Sequence, residues 1–186
     1  FDTPGYPGEF LLKNEGEIVE LDNYRSIVGK LLYYTTKIAP ECANSVRELS
    51  QHMLWPNHTH WRAVGRIGGY LKKKKKHCLV YRRPTEMKSV SFVDSNYATN
   101  LDTRRSVSGY LNTVGGLLTN WGSKTQPVVT LSSTEAEYIA LSLCGQESLF
   151  QNYLLEELKV CIKPAKIFED NTGAVFLARN KQVGRR

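Results

Sequence analysis

Leu131-Ser132-Ser133-Thr134-Glu135-Ala136-Glu137-Tyr138-Ile139-Ala140 opens a long amphipathic stretch with acid in its first turn. Upstream, Phe92-Val93-Asp94-Ser95 ends an apolar, strand-like run in acid. Downstream, Ile167-Phe168-Glu169-Asp170-Asn171 repeats that ending just ahead of a second helical pattern. Strand, helix and strand thus each deliver a carboxylate, in that order. Such an order predicts an α/β unit in which strand ends and a helix start converge on one edge of a sheet.

Working outward, the pattern after residue 77 has period two. Cys78–Arg83 reads as a strand or linker and Lys88–Asp94 as a strand. Ser106–Val114 and Leu117–Trp121 read as a hairpin turning at Gly115-Gly116. Ser132–Leu158 is a long helix with Ala136, Ile139, Leu143, Phe150 and Leu154 on one side. Ala165–Asp170 is a further strand and Asn171–Asn180 a short helix. The expected fold is therefore α/β, β-β-β-α-β-α, with a mixed sheet: a meander followed by a right-handed crossover.

The first half reads differently. Residues 1–23 are Gly/Pro-rich and then acidic, an extended lead-in. Residues 24–77 carry three amphipathic helices. One is capped by Asp22 and buries Ile27, Val28, Leu31 and Leu32. One opens at Pro40 with Ala43, Val46, Leu49 and Met53. One is capped by Thr59 with Trp61, Val64, Ile67 and Leu71. The predicted division is a lead-in over 1–23, a helical segment over 24–77 and the α/β unit over 78–186.

An apolar share of 41% over 186 residues supplies a real core and excludes wholesale disorder. No apolar run approaches the roughly 18–20 residues of a membrane span, so no membrane partner is expected. Net charge is +7 and the pI near 9.2, a balance that suits a polyanionic partner. Cys42, Cys78, Cys144 and Cys161 are scattered, which reads as reduced thiols. Phe1 is no start methionine, and Phe1–Gly8 has no secretory pattern. The chain reads as a piece of a longer, intracellular polypeptide (cytoplasm or nucleus), not a secreted one.

Magnesium is a hard cation that takes oxygen ligands, and hydrolysis of a phosphodiester by two such ions needs carboxylates from separate elements. Asp94, Glu135 and Asp170 are the candidates. Each has a structural rival: a turn aspartate at Asp94, a helix N-cap at Asp170, a capping box at Glu135. Ser132-x-x-Glu135 and Thr134-x-x-Glu137 both match that box, and the two glutamates point about 200° apart on a helix. The residues leave both open; the reading taken is Glu135. Lys72-Lys73-Lys74-Lys75-Lys76, Arg104, Arg105 and Lys124 form a candidate phosphate-neutralising surface, with a solvated charge cluster as its rival. Trp55, Trp61 and Trp121 are expected in cores. His52, His58, His60 and His77 show no zinc spacing and receive no chemistry.

Several motifs carry a family likeness. Tyr24-Arg25-Ser26-Ile27-Val28-Gly29-Lys30-Leu31-Leu32-Tyr33 and His60–Lys72 resemble the closing part of Ty1/copia-type reverse transcriptases. Arg105–Tyr110, Trp121–Gln126 and Leu131–Ala140 resemble the ribonuclease H strands and first helix of those retrotransposon Pol polyproteins. The resemblance spans about Tyr24 to Arg186. It implies a ribonuclease H-like endonuclease that cuts the RNA strand of RNA–DNA hybrids. It also implies two Mg²⁺ ions, with Mn²⁺ as a substitute, and Asp94, Glu135 and Asp170 as their ligands. In that scheme Asp94 bridges the ions, Glu135 serves the leaving 3′-oxygen and Asp170 the attacking water.

The chain departs from the family pattern at three places. Asn96 stands where a second acid is usual, and Lys73-Lys74 where Gly-Thr is usual. The family domain continues past this end with a fifth strand and a last helix bearing a fourth acid. Lacking these, the edge of the strand Ala165–Asp170 is expected to be open, covered by the rest of the polyprotein or by a partner chain. The alternative expectation is a catalytically inactive remnant that serves as a nucleic-acid- or protein-binding module.

Overall fold

The computed structural model describes residues 1–6, 11–13, 16–17, 19–160 and 163–180. The chain divides into two compact units, Phe1–Leu79 and Val80–Arg186.

The first unit is helical. Helix α1 runs Leu21–Lys37, a 3₁₀ turn covers Pro40–Cys42, α2 runs Ala43–Ser50 and α3 runs His58–Lys73. Their apolar positions meet as one core of Tyr24, Val28, Ala39, Cys42, Val46, Leu49, Val64, Ile67 and Tyr70. The hydroxyl of Tyr24 donates to the carbonyl of Leu49 (2.9 Å), which satisfies its polar tip inside that core. Two expected caps differ. Asp22 lies inside the first turn of α1, and Glu20 at the cap position accepts no side-chain bond. Asn57, not Thr59, caps α3: its side chain accepts from the amides of Thr59 and His60, and His60 Nδ1 accepts in return from Asn57 N (3.0 Å). The ring of Trp61 meets Tyr24 edge-on at 5.7 Å, as a core residue should. Trp55 is instead 56% exposed.

The lead-in is in part docked on α3. Arg66 lies under the rings of Phe1 and Tyr6, and Lys73 pairs with Asp2. The lysine run begins in the last turn of α3 and continues through the turn after it.

The second unit is α/β with a mixed, open four-stranded sheet. Strand β1 runs Lys88–Asn96, β2 Val107–Val114, β3 Leu117–Thr125 and β4 Lys163–Phe168, in the order β3-β2-β1-β4. The first three are antiparallel neighbours, and β4 joins β1 in parallel. Gly115 and Gly116 turn the hairpin with φ of 60° and 77°, the left-handed pair that a two-residue turn requires. Cys78–Arg83 forms no strand. Helices α4, Ser133–Glu157, and α5, Thr172–Asn180, complete the unit.

Helix α4 lies on β1 and β2 and matches the expected side only in part: Ala136 is buried and Leu143 packs against the core, but the large residues further along do not. Its buried residues are Ala136, Glu137, Ala140, Cys144, Ser148 and Gln151, whereas Phe150 and Leu154 are 66% and 51% exposed. Small side chains let the helix approach the sheet closely. The polar ones are paired there, Ser148 with Ser91 (2.9 Å) and Gln151 with Ser89 (3.2 Å).

Candidate metal centre

Three elements deliver one carboxylate each to the same end of the sheet. Asp94 stands on β1 opposite Gly109 of β2. Asp170 follows the end of β4 by two residues, at its junction with α5. Glu137 projects from the second turn of α4. One carboxylate oxygen from each lies within 4.8 Å of the others. Among the described residues no other set of three His, Cys, Asp or Glu side chains converges in this way.

The two expected aspartates are thus brought together, and the helix-borne member is Glu137 rather than Glu135. Local hydrogen bonding explains the difference. Ser132 caps α4 by accepting from Glu135 N (3.1 Å), and the Glu135 carboxylate turns back to accept from Leu131 N (2.8 Å). Glu135 is therefore engaged at the N-terminus of α4, its carboxylate holding the amide just before the cap. Two residues on, Glu137 faces the sheet. The rival reading of Asp170 fails for a similar reason. Asn171 takes the cap of α5, its Oδ1 accepting from Ala174 N (2.9 Å), so the carboxylate of Asp170 is left for the cluster.

Asp94 and Asp170 are exposed, while Glu137 is 7% exposed. Its Oε2 is buried without a hydrogen-bond partner, as is Ser95 Oγ. Burial pushes the Glu137 carboxyl above the usual glutamate range. The neighbouring Ser95 eases the shift, and the charges of Asp94 and Asp170 add to it. Glu169, which the sequence reading passed over, lies close enough to feel the same charges. Burial raises it first, its bond from Asn171 N lowers it, and Glu137, Asp170 and Asp94 raise it further.

The donor set is all carboxylate oxygen, the chemistry of hard divalent cations such as Mg²⁺ or Mn²⁺ rather than of thiolate- or imidazole-loving metals. A cation beside Glu137 would also satisfy an oxygen that now has no partner. The residues fit such an ion.

The expected basic residues are placed as follows. Arg104 and Arg105 are exposed in the loop from β1 to β2, where Arg104 adopts a φ of 54°. Lys124, on β3, pairs with Glu147 at 3.3 Å. Lys72–Lys76 belong to the first unit, with Lys73 paired to Asp2. His52 and His60 stack in that unit at 4.0 Å, and His60 Nε2 pairs with Leu12 O.

Known proteins resemble the chain over most of its length. A retrovirus-related Pol polyprotein from transposon TNT 1-94 of Nicotiana tabacum is 34% identical over 157 residues, 84% of this chain. The corresponding polyprotein from transposon RE1 of Arabidopsis thaliana is 32% identical over 180 residues, 96% of it. The chain belongs to the Ty1/copia-type retrotransposon Pol polyproteins. It spans 12% of the length of each of these two Pol polyproteins. A relative of a different kind, secreted RxLR effector protein 161 of Plasmopara viticola, is 39% identical over 127 residues. Those residues are 68% of this chain and 89% of that protein. Neither a family model nor a solved structure matches this Pol segment. Among the described residues no helix is long and apolar enough to cross a membrane.

Proposed function

We propose that the second unit is a ribonuclease H-like endonuclease domain of a Pol polyprotein, cutting the RNA strand of RNA–DNA hybrids in the presence of a divalent cation. The observation that carries this reading is the convergence of Asp94, Glu137 and Asp170 from β1, α4 and the β4–α5 junction to within 4.8 Å. Membership of the Pol polyproteins supports the substrate class, and the mixed sheet is compatible with the fold.

Asp94, Glu137 and Asp170 would hold the cation, which when bound supplies Lewis-acid stabilisation of phosphodiester charge and an activated water. The remaining work belongs to the chain. Asp94 and Asp170, exposed, form the solvent-facing side of the site, where a phosphate arrives. Glu137, buried, anchors it from the helix side and keeps water from that flank. Arg104 and Arg105 offset phosphate charge in the same unit; Lys72–Lys76, in the first unit, offer a sequence-blind phosphate contact of their own. Lys124 contributes less, because Glu147 already holds its ammonium group.

The test is cleavage of a strand-labelled RNA–DNA hybrid by the 186-residue chain in Mg²⁺ and in chelator. Cutting confined to the RNA strand, abolished by chelator, by Asp94→Asn and by Glu137→Gln, is the expected result. Loss of at least about 10²-fold is the scale for removing a group that stabilises charge in the transition state. Salt-sensitive binding of the hybrid without any cutting would instead establish a nucleic-acid-binding remnant.

A further inference from the structure

A carboxylate on a helix can meet two carboxylates on strands only if the helix start is held at a fixed place over the sheet. One buried side chain makes that connection directly. Gln126 follows the last residue of β3 and is 2% exposed. Its backbone N–H donates to Ser106 O (2.8 Å). Its side-chain Nε2 donates twice, to Ser108 Oγ (2.9 Å) and to the carbonyl of Ala136 (2.9 Å). Ser108 sits on β2 opposite Ser95, one position along from the Asp94–Gly109 pair. Ala136 immediately precedes Glu137. One amide group therefore ties the end of β3 to the strand position beside Asp94 and to the turn of α4 that bears Glu137.

Two further observations sharpen this. The Oε1 of Gln126 is buried without a hydrogen-bond partner, a cost that an apolar side chain of the same volume would avoid. The two bonds donated by Nε2 are what offsets that cost. A second polar bridge lies alongside: Ser106 Oγ pairs with Thr130 Oγ1 (2.8 Å) and accepts from Ala98 N (3.0 Å). That bridge fixes the approach to α4 against the exit from β1. The other side-chain bonds from α4 to the buried face of β1, from Ser148 and Gln151, lie three to four turns further along the helix.

We propose that Gln126 is a positioning residue of the carboxylate centre, setting Glu137 against Asp94 and Asp170 through its bond to the Ala136 carbonyl. The inference rests on reading the triad as a cation site. It also makes the Gln126 side chain part of how that site is built rather than a general core residue.

The test compares Gln126→Met with Gln151→Met in the 186-residue chain. Both changes keep volume and remove a buried amide, but only the first touches the turn bearing Glu137. Mn²⁺ affinity by calorimetry and amide hydrogen exchange along α4 are the readouts. Gln126→Met is expected to weaken Mn²⁺ by about tenfold, the usual scale for losing a group that orients a ligand. It should also speed exchange in the first two turns of α4. Gln151→Met should lower the melting temperature yet leave Mn²⁺ affinity within about twofold. Unchanged affinity in Gln126→Met, or equal weakening in both variants, overturns the proposal while leaving the cation site standing. A wild-type chain that binds no Mn²⁺, with Glu137→Gln alike, overturns the cation site and this role with it. If Gln126→Met does not fold, Ser108→Ala removes one of the two anchors and carries the same comparison, with an expected loss of about threefold.

Discussion

Glu137 bears the largest electrostatic burden of the three carboxylates, because it alone is buried and its nearest companions are acids. Its carboxyl, like that of Glu169, titrates above the usual glutamate range in the folded chain. A raised acid binds its proton more tightly folded than unfolded. Its ionisation therefore costs stability as pH rises from the ordinary glutamate pKa through the folded one, and protonation relieves that cost below both. In chelator, the contribution of these two groups should make the melting temperature climb as pH falls from 7 towards the ordinary glutamate range. Glu137→Gln should flatten that slope. A divalent cation reverses the preference, since it needs the ionised form, so Mn²⁺ affinity should fall with acidification through the raised pKa. Melting curves at several pH values, with chelator and with Mn²⁺, check both signs; a slope unaltered by Glu137→Gln would remove Glu137 as its source. Glu135 makes the opposite prediction. Because its carboxylate serves Leu131 N, Glu135→Ala should cost about 0.5–1 kcal/mol in urea unfolding while hybrid cleavage by the folded protein persists. The sequence contained both candidates two residues apart, and two S/T-x-x-E matches overlapped on them. Which glutamate caps is decided by which serine or threonine becomes the N-cap, and local sequence offered Ser132 and Thr134 alike.

Helix α4 shows where pattern reading succeeds and where it is misled. Its extent was legible from Ser132 onward, because a capping serine, a first-turn acid and a long run of helix formers agree. Its buried side is legible only in part, because the apolar pattern joins Ala136 and Leu143, which pack inward, to Phe150 and Leu154, which do not. The residues buried against the sheet are Ala136, Ala140 and Cys144, with Ser148 and Gln151 paired to strand serines. Small residues bury little area each and so leave a weak signal, yet they set how closely helix and sheet approach. Enlarging one should therefore be costly. Ala140→Leu, at a position with no exposure, is expected to destabilise the chain by about 1–3 kcal/mol through overpacking. Phe150→Ser, at a position 66% exposed, should change stability by no more than about 0.5 kcal/mol. Urea unfolding of the two variants checks the pair, and a larger loss for Phe150→Ser would mean that α4 buries its other side. The same logic covers α3, whose sequence points to a cap at Thr59 but whose cap is Asn57, two residues earlier. Histidine at the third helical position is an uncommon reciprocal partner for a cap, so the Asn57–His60 pair carries little sequence signal.

Across the second unit, strand order follows from the hairpin at Gly115-Gly116 and from the long helical crossover that returns β4 parallel to β1. Pairing of β4 on one side only leaves it at the end of the sheet among the described residues. The register adds what the linear sequence could not display. Phe168, Phe92, Leu111 and Trp121 are successive cross-strand partners from β4 to β3, forming one row on the face away from α4. Phe168 and Phe92 stack at 5.3 Å, and both remain more than 40% exposed, as does Leu111. Four large side chains in a row are invisible to a strand-by-strand reading, because each strand contributes a single member. An open strand edge that borders an exposed apolar row favours pairing with another chain. The 186-residue chain should therefore self-associate, its weight-average mass by light scattering rising above 21.1 kDa as concentration increases. Phe168→Lys places a charge on both the edge strand and the row, the device by which natural edges avoid pairing. It should return the mass towards the monomer value and leave the triad in place, since Asp170 lies beyond the strand end. A wild-type chain that stays at the monomer mass at every concentration would show that neither the edge of β4 nor the row recruits a second copy.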